Sequence, residues 1–224
     1  MDKIISQKNN IATGPRKLEQ PGFTDIPDHG KATAPLPAVH HGMPNYGKRG
    51  RVIVFIDGAN LFYAAAQLCI EVDYAKLLHY LTAQDNLVHV FFYTGCDPDN
   101  ERQHGFLRWM GHNGFRVVTK NLEPCSRNGK KANLDVEIAV DMMNLSPYCD
   151  TAVLVSGDGD FAYVVNAIAA RGVRVEIVGL RSMTNSTLIA AADCYVDLAE
   201  IQQIFQKFDG FCGVQQAAGD LNIY

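Results

Sequence analysis

Thr151 to Phe161 reads Thr-Ala-Val-Leu-Val-Ser-Gly-Asp-Gly-Asp-Phe, and this stretch decides the fold class of the chain. Its first five residues are apolar or β-branched, which is typical of a buried strand in a parallel sheet. Asp158 and Asp160 follow that strand, and a helical pattern then runs from Phe161 to Ala170. Because open α/β sheets bind ligands at the carboxyl ends of their strands, the pattern predicts a ligand site at these two acids.

The two carboxylates would repel each other unless protons or a cation intervened, and we favour a cation. Gly157 and Gly159 allow a tight turn and leave room for another group to approach the backbone. Two other interpretations stay open. The turn caps the next helix through Asp160 or Ser156, or it belongs to a calcium-binding loop. The calcium loop lacks its glutamate, since Asn166 to Ala169 contains no acid.

A second apolar strand also ends in an acid. Val52 to Ile56 is followed by Asp57-Gly58-Ala59-Asn60, and a helical pattern continues from Leu61 to Leu68. The order strand, acid, glycine, helix is therefore repeated. A lone aspartate at a strand end is by default a helix cap. Two such acids from separate strands of one sheet instead indicate a shared site.

A third acid stands out in the predicted helix from Asn133 to Leu145. At about 100° per residue, three polar side chains share one stripe, namely Glu137, Asp141 and Asn144. Asp135 falls on the opposite, apolar side, where a carboxylate is costly unless it is paired or binds a metal. The alternative is that Asp135 lies in the first turn and is stabilised by the helix dipole. We expect Asp141 to lie at the surface or to support a ligand from behind.

The order of the predicted elements defines the fold class and the domains. Strands and helices alternate from residue 50 to residue 208, which predicts an α/β domain with a mostly parallel sheet and helices on both faces. Residues 1–49 contain six of the nine prolines and show no apolar periodicity, so we predict a disordered arm. Residues 209–224 are weakly patterned and predict a loose tail. The last helix is expected from Ala199 to Phe208, with Ile201, Ile204, Phe205 and Phe208 facing inward.

Composition narrows the function classes. The first eight residues lack the apolar core of a signal peptide, and no apolar run approaches the roughly 18 residues needed to cross a bilayer. We therefore expect no membrane partner. The six cysteines form no Cys-x-x-Cys pair, which argues against zinc and disulfides and favours a reducing cytoplasm. A net charge of −4 gives no overall signature of nucleic-acid binding.

One local segment is nevertheless basic. Arg116 to Lys131 contains five cations and one acid, Glu123. Such a segment is either a solvated loop or a surface that contacts phosphates beside an acidic centre. Converging carboxylates form a hard-oxygen site suited to Mg²⁺ or Mn²⁺. Together with the basic residues Arg127, Lys130 and Lys131, they favour metal-assisted hydrolysis of phosphodiesters.

Three motifs follow one another along the chain: Asp57-Gly58-Ala59-Asn60, Lys131 followed by Asp135 and Asp141, and Ser156-Gly157-Asp158-Gly159-Asp160-Phe161. Together they resemble the NYN domain, in its LabA-like branch. The resemblance spans about residues 51–200. It implies a PIN-like, Rossmann-like three-layer α/β/α sandwich and a metal-dependent ribonuclease acting on RNA. It also implies that Asp57, Asp135, Asp158 and Asp160 are the metal-site acids, with Asn60 and Ser156 as polar groups near metal or phosphate.

The chain departs from the family pattern at Lys131-Ala132, where lysine-glycine is common. This departure affects the expected binding of substrate more than it affects the expected role of the carboxylates. Some LabA-like members are regulators without a settled substrate. A non-catalytic regulatory or RNA-binding module that keeps the metal site is therefore the second hypothesis. A phosphomonoesterase is the third, although Asp57-Gly58-Ala59 lacks the second aspartate of aspartyl-phosphate phosphatases. A homodimer, and a protein partner bound through the N-terminal arm, remain open.

Overall fold

Six parallel strands form the central sheet, in the order β3-β2-β1-β6-β7-β8. The structure is a computed structural model that describes residues 49–82, 86–125 and 129–207, with the backbone alone for 123–125 and 129–131. The strands are β1 Arg51–Asp57, β2 Asn86–Cys96, β3 Phe115–Asn121, β6 Thr151–Val155, β7 Arg174–Gly179 and β8 Cys194–Asp197. The predicted parallel sheet is confirmed. The predicted arm and tail lie outside the described residues, apart from Arg49.

Helices cover both faces of this sheet. They are α1 Gly58–Leu68, α2 Tyr74–Thr82, α3 Glu101–His112, α4 Asp135–Leu145, α5 Ala162–Ala169, α6 Ser186–Ala191 and α7 Leu198–Phe205. Alternate residues of the buried strands point to opposite faces. Val54 thus packs in the core with α1, α2, α3 and α7, and Phe55 packs in the other core with α4, α5 and α6. The result is a three-layer α/β/α sandwich.

The chain changes direction at the centre of the sheet. From β1 it adds β2 and β3 on one side, and after returning to the centre it adds β6, β7 and β8 on the other. β1 and β6 are therefore neighbours, paired in register from Val52↔Thr151 to Ile56↔Val155. Such a switch point opens a crevice at the carboxyl ends of the two central strands. Asp57 ends β1 and Ser156 follows β6, so both acid-bearing loops meet there.

Three details differ from the sequence-based expectation. The basic segment is not a plain loop, because β4 Glu123–Cys125 and β5 Gly129–Lys131 pair as an antiparallel hairpin. The Ser/Thr-led, Ala-rich run from Ser182 to Ala192 predicts one short helix, but the structure has a 3₁₀ turn, Arg181–Met183, followed by α6. Ile204 was predicted to face inward but is 46 % exposed, because it lies at the rim of the buried α7 stripe formed by Ile201 and Phe205. Phe208 lies outside the described residues.

Two further observations concern the predicted environment of the chain. Among the described helices, none is both long and apolar enough to cross a bilayer. The cysteines that the structure describes with their side chains are free thiols, namely Cys69, Cys96, Cys149 and Cys194.

Candidate metal centre

Asp57 is the anchor of the candidate site at the end of β1. It is the N-cap of α1, where its Oδ1 accepts a hydrogen bond of 3.1 Å from the Asn60 amide. Its Oδ2 accepts a bond of 3.0 Å from the Ser156 hydroxyl on the neighbouring strand. Both carboxylate oxygens are thereby fixed in direction. Asp57 therefore caps α1 and at the same time contacts the second acid-bearing loop, so the two interpretations of this acid do not exclude each other.

Ser156 and Asn60 join the two acid-bearing loops. The Ser156 hydroxyl oxygen also accepts a bond of 3.2 Å from the Asp158 amide, so one hydroxyl connects Asp57 to the second loop. The Asn60 side-chain oxygen accepts a bond of 3.0 Å from the Gly157 amide. These contacts lock β1 and β6 at the switch point. Sequence analysis predicted both residues for the site, and the structure places them between its acids.

Asp135, Asp158 and Asp160 form a cluster. One carboxylate oxygen from each lies within 4.8 Å of the others, although the residues come from two separate segments of the chain. Asp158 is the N-cap of the 3₁₀ turn Gly159–Phe161, where its side chain accepts a bond of 3.0 Å from the Asp160 amide. Asp160 is exposed and the other two are partly buried. The cluster therefore opens to solvent on one side.

Asp57 lies beside this cluster and senses its charge. Burial raises the pKa of the Asp57 carboxyl above its ordinary value, and the carboxylates of Asp135 and Asp158 raise it further. The hydrogen bonds from Asn60 and Ser156 act in the opposite direction. The four predicted acids thus lie together at the carboxyl ends of the central strands, three as a cluster and Asp57 next to it.

Asp135 is held at the start of α4 by the residues around it. The Asn133 amide donates a bond of 2.6 Å to Asp135 Oδ2, and its oxygen accepts one of 2.9 Å from the Asp135 backbone. Lys120 on β3 donates bonds of 3.0 Å to the Asn133 carbonyl and to Glu137 Oε1. Asp135 therefore lies in the first turn, as one of the two hypotheses proposed. Its carboxylate is also directed towards the acids after β6.

The two glycines of the acid loop have a neighbour that the sequence did not reveal. A Cβ on Gly157 would lie 2.6 Å from the Met183 carbonyl oxygen, and one on Gly159 would lie 2.6 Å from Asn185 Nδ2. The Asn185 amide also donates a bond of 2.9 Å to the Gly157 carbonyl. The group that approaches the glycine backbone is thus the loop between β7 and α6. This loop supports the acids from behind.

Tyr93 and Asp141 form a contact that sequence analysis missed. Tyr93 lies in the buried part of β2 and pairs in register with Asp57. Its hydroxyl donates a bond of 2.9 Å to Asp141 Oδ2 on α4. Asp141 is therefore not a plain surface residue, since it ties α4 to the strand beside Asp57. A buried tyrosine normally needs such a partner, which is the signal that could have suggested the pair.

The predicted phosphate-contacting residues are described less completely. Arg127 lies outside the described residues, and Lys130 and Lys131 are described by their backbone in β5. Two other cations of the basic segment are engaged with the protein itself. Lys120 pairs with Glu137, and the Arg116 guanidinium lies 5.7 Å from the centre of the Phe91 ring.

Comparison with known proteins agrees with this geometry. The family model of the NYN domain matches residues 51–199. The chain belongs to the NYN domain family, in its LabA-like branch. It is 34 % identical over 166 residues to the low amplitude and bright protein LabA of Synechococcus elongatus, covering 70 % of this chain and 88 % of that protein. The crystal structure of a protein of unknown function from Vibrio parahaemolyticus has a TM-score of 0.60 at 26 % identity, covering 70 % and 96 % of the two chains.

Membership of the NYN family implies the PIN-like nuclease fold, and the parallel sheet described above is the form it takes here. Both acid loops and the start of α4 lie within the matched residues. The NYN domain thus contains the complete candidate site.

Proposed function

We propose that this NYN protein is a metal-dependent ribonuclease that hydrolyses RNA phosphodiester bonds at its aspartate cluster. The observation that carries the proposal is the convergence of Asp135, Asp158 and Asp160 within 4.8 Å, with Asp57 beside them. Four acids from three chain segments gather there although their mutual repulsion opposes it. A divalent cation would relieve that repulsion.

The donor set fits Mg²⁺ or Mn²⁺. Both ions prefer carboxylate oxygens, and a Mg²⁺ ligand oxygen lies about 2.0–2.1 Å from the ion, so two opposed ligands are roughly 4 Å apart. The observed separation of up to 4.8 Å needs only small side-chain rotations to reach that value. Asp57, Asp135, Asp158 and Asp160 would hold the ion. When bound, such an ion lowers the pKa of a water and neutralises phosphate charge.

The surrounding residues have separate tasks in this proposal. Ser156 and Asn60 hold the Asp57 carboxylate in place beside the cluster through the bonds described above. Asn133 does the same for Asp135. Arg127, Lys130 and Lys131 would contact substrate phosphates, which lowers the repulsion between RNA and an acidic protein. The free cysteines fit a reducing compartment, and we place the activity in the cytoplasm.

Substitution of Asp158 by asparagine tests the proposal. Labelled RNA and DNA of the same sequence are incubated with the wild-type chain and Asp158→Asn, each with Mg²⁺, Mn²⁺ or EDTA. We expect the wild type to cleave RNA only with metal. The variant should be slower by about 100-fold or more, since several kcal/mol of charge stabilisation are lost.

Asp193→Asn is the matched control. It makes the same change at the amino ends of the strands, just before β8, away from the acids. Asparagine can still accept the 2.7 Å bond from the Val175 amide there. It should cleave like the wild type. Equal cleavage by Asp158→Asn would overturn the proposal. Metal binding by calorimetry with no hydrolysis of any RNA would instead establish a non-catalytic module.

A further inference from the structure

Two exposed tyrosines lie on the helices that follow the two acid-bearing strands, in opposite layers of the sandwich. Tyr63 on α1 is 54 % exposed and Tyr163 on α5 is 87 % exposed. α1 packs on one face of the sheet through Leu61, and α5 packs on the other through Val165. Both helices begin at the edge that carries the acids. Each face of the sheet therefore carries one exposed tyrosine, near the start of a helix that begins at the acids.

Each tyrosine also lies one helical turn after a site residue. Tyr63 follows Asn60 by three positions, and Tyr163 follows Asp160 by three positions. Residues three apart lie on the same side of a helix, and Tyr163 is in the first turn of α5, directly after the 3₁₀ turn that contains Asp160. Helical side chains lean towards the N-terminus. Each tyrosine therefore lies near the acid-bearing end of its helix, with its Cα–Cβ bond tilted towards that end.

Exposure alone does not make these residues special, because single exposed apolar side chains are common on proteins. Tyr148 illustrates this point: it is 61 % exposed in a turn that precedes β6, at the amino ends of the strands and away from the acids. What distinguishes Tyr63 and Tyr163 is their position relative to the acids. Tyr148 in turn provides a control of the same residue type.

We propose that Tyr63 and Tyr163 are stacking platforms for unpaired bases, one on each side of the phosphate that meets the acid cluster. This inference rests on the proposed function, and it names the substrate as single-stranded rather than paired RNA. A base can stack on a tyrosine only when its own face is free, as in single strands and loops. Because every base has such a face, the two platforms hold a strand with little preference for its sequence.

Binding to an inactive chain tests this inference. In the Asp158→Asn background with Mg²⁺ present, binding of a labelled, unstructured 12-nucleotide RNA is followed by fluorescence polarisation. We expect Tyr63→Ala and Tyr163→Ala each to weaken binding at least fivefold, as loss of one base stack does. Tyr163→Phe keeps the ring and should stay within twofold of the parent. Tyr148→Ala should also bind like the parent.

A duplex of the same sequence provides the second comparison. It should bind more weakly than the single strand and respond to none of the tyrosine substitutions. The inference is overturned if the parent binds no single strand, if neither alanine variant at positions 63 and 163 weakens binding, or if Tyr148→Ala weakens it equally. It is also overturned if Tyr63→Ala and Tyr163→Ala change self-association in sedimentation instead of RNA binding.

The binding and cleavage experiments fail separately. Tyrosine-dependent binding by the inactive chain, together with no hydrolysis by the wild type, would remove the proposed nuclease activity and leave the stacking platforms in place. The opposite outcome is that the wild type cleaves RNA and that Tyr63→Ala and Tyr163→Ala leave kcat/KM unchanged for the single strand and for the duplex. That result would keep the nuclease activity and remove the stacking platforms.

Discussion

The Tyr93 hydroxyl donates a 2.9 Å hydrogen bond to Asp141 Oδ2, and this bond links the strand next to Asp57 to the helix that begins with Asp135. The Tyr93 ring also stacks on the Phe91 ring, with 6.1 Å between the ring centres, which helps to fix its position. Burial and the Asp141 carboxylate both raise the pKa of the Tyr93 hydroxyl, so it stays a proton donor at neutral pH. The bond thus adds a polar link between α4 and β2 to the apolar packing of Ile138 and Met142.

The first prediction concerns this bond. Tyr93→Phe removes the hydroxyl and leaves the ring, so we expect the fold to persist and the Mn²⁺ affinity to fall about fivefold, equivalent to the ~1 kcal/mol of one hydrogen bond. Asp141→Ala should have the same effect. The double variant should be no worse than either single one, because both changes break the same contact. Calorimetry with Mn²⁺ measures all three.

Asp141→Asn separates positioning from direct ligation. Asparagine can still accept the Tyr93 hydrogen bond, so this variant should bind Mn²⁺ within about twofold of the wild type. If Asp141 were itself a metal ligand, Asp141→Asn would lose as much affinity as Asp141→Ala, and Tyr93→Phe would bind normally.

The second prediction is that Asp57→Asn stabilises the metal-free protein. Because the pKa of Asp57 is raised in the fold, its ionised form destabilises the native state above the ordinary carboxyl pKa. Asparagine removes that charge and can still cap α1. In EDTA at pH 7 we expect a melting temperature higher by roughly 2–4 °C, as ~1 kcal/mol gives in a domain of this size.

The same variant should lose the stabilisation that added Mn²⁺ gives the wild type, since a ligand bound only to the native state raises its stability. The gain in EDTA should disappear as the pH falls and Asp57 becomes protonated in the wild type. A lower melting temperature of Asp57→Asn in EDTA would contradict the prediction.

The third prediction uses a pair far from the site. Arg51 donates bonds of 3.1 and 3.0 Å to the Asp150 carboxylate, and this lowers the pKa of Asp150 to about 2. A lowered pKa contributes stability that is present above the ordinary carboxyl pKa and is lost as the pH falls through about 2. Asp150→Asn should therefore melt below the wild type at pH 7, with a small difference because the pair is exposed. Melting curves from pH 7 to pH 2 should converge.

The fourth prediction compares two glycines. Gly157→Ala places a Cβ 2.6 Å from the Met183 carbonyl oxygen, so we expect a loss of ~2 kcal/mol or more and a displaced acid loop with weaker Mn²⁺ binding. Gly111→Ala is the matched change on α3, where a Cβ meets no atom of the described residues within 4 Å. It should stabilise by about 0.5–1 kcal/mol through helix propensity. Urea unfolding measures both.

Much of the fold could be read from local patterns. The apolar runs that became β1 and β6 were recognisable because both faces of a central parallel strand are buried, which leaves no polar alternation. The amphipathic run from Glu101 to His112, followed by Gly114, predicts a helix with the bounds that α3 has, and the structure adds Asn100 as its N-cap. The hairpin of β4 and β5 was missed because its strands have three residues each and carry charges, so they show no apolar pattern. Only their pairing with each other in the structure identifies them as strands.

The sequence by itself determined that this protein has a parallel α/β sheet and that Asp57, Asp158 and Asp160 stand at strand ends, because these features are written in neighbouring residues. Only the tertiary structure decided which distant residues meet. The proximity of Asp135 to Asp158, the loop that lies against Gly157, and the bond from Tyr93 to Asp141 depend on strand order and helix packing. Such contacts arise from long-range packing free energy, which no single segment of the chain specifies.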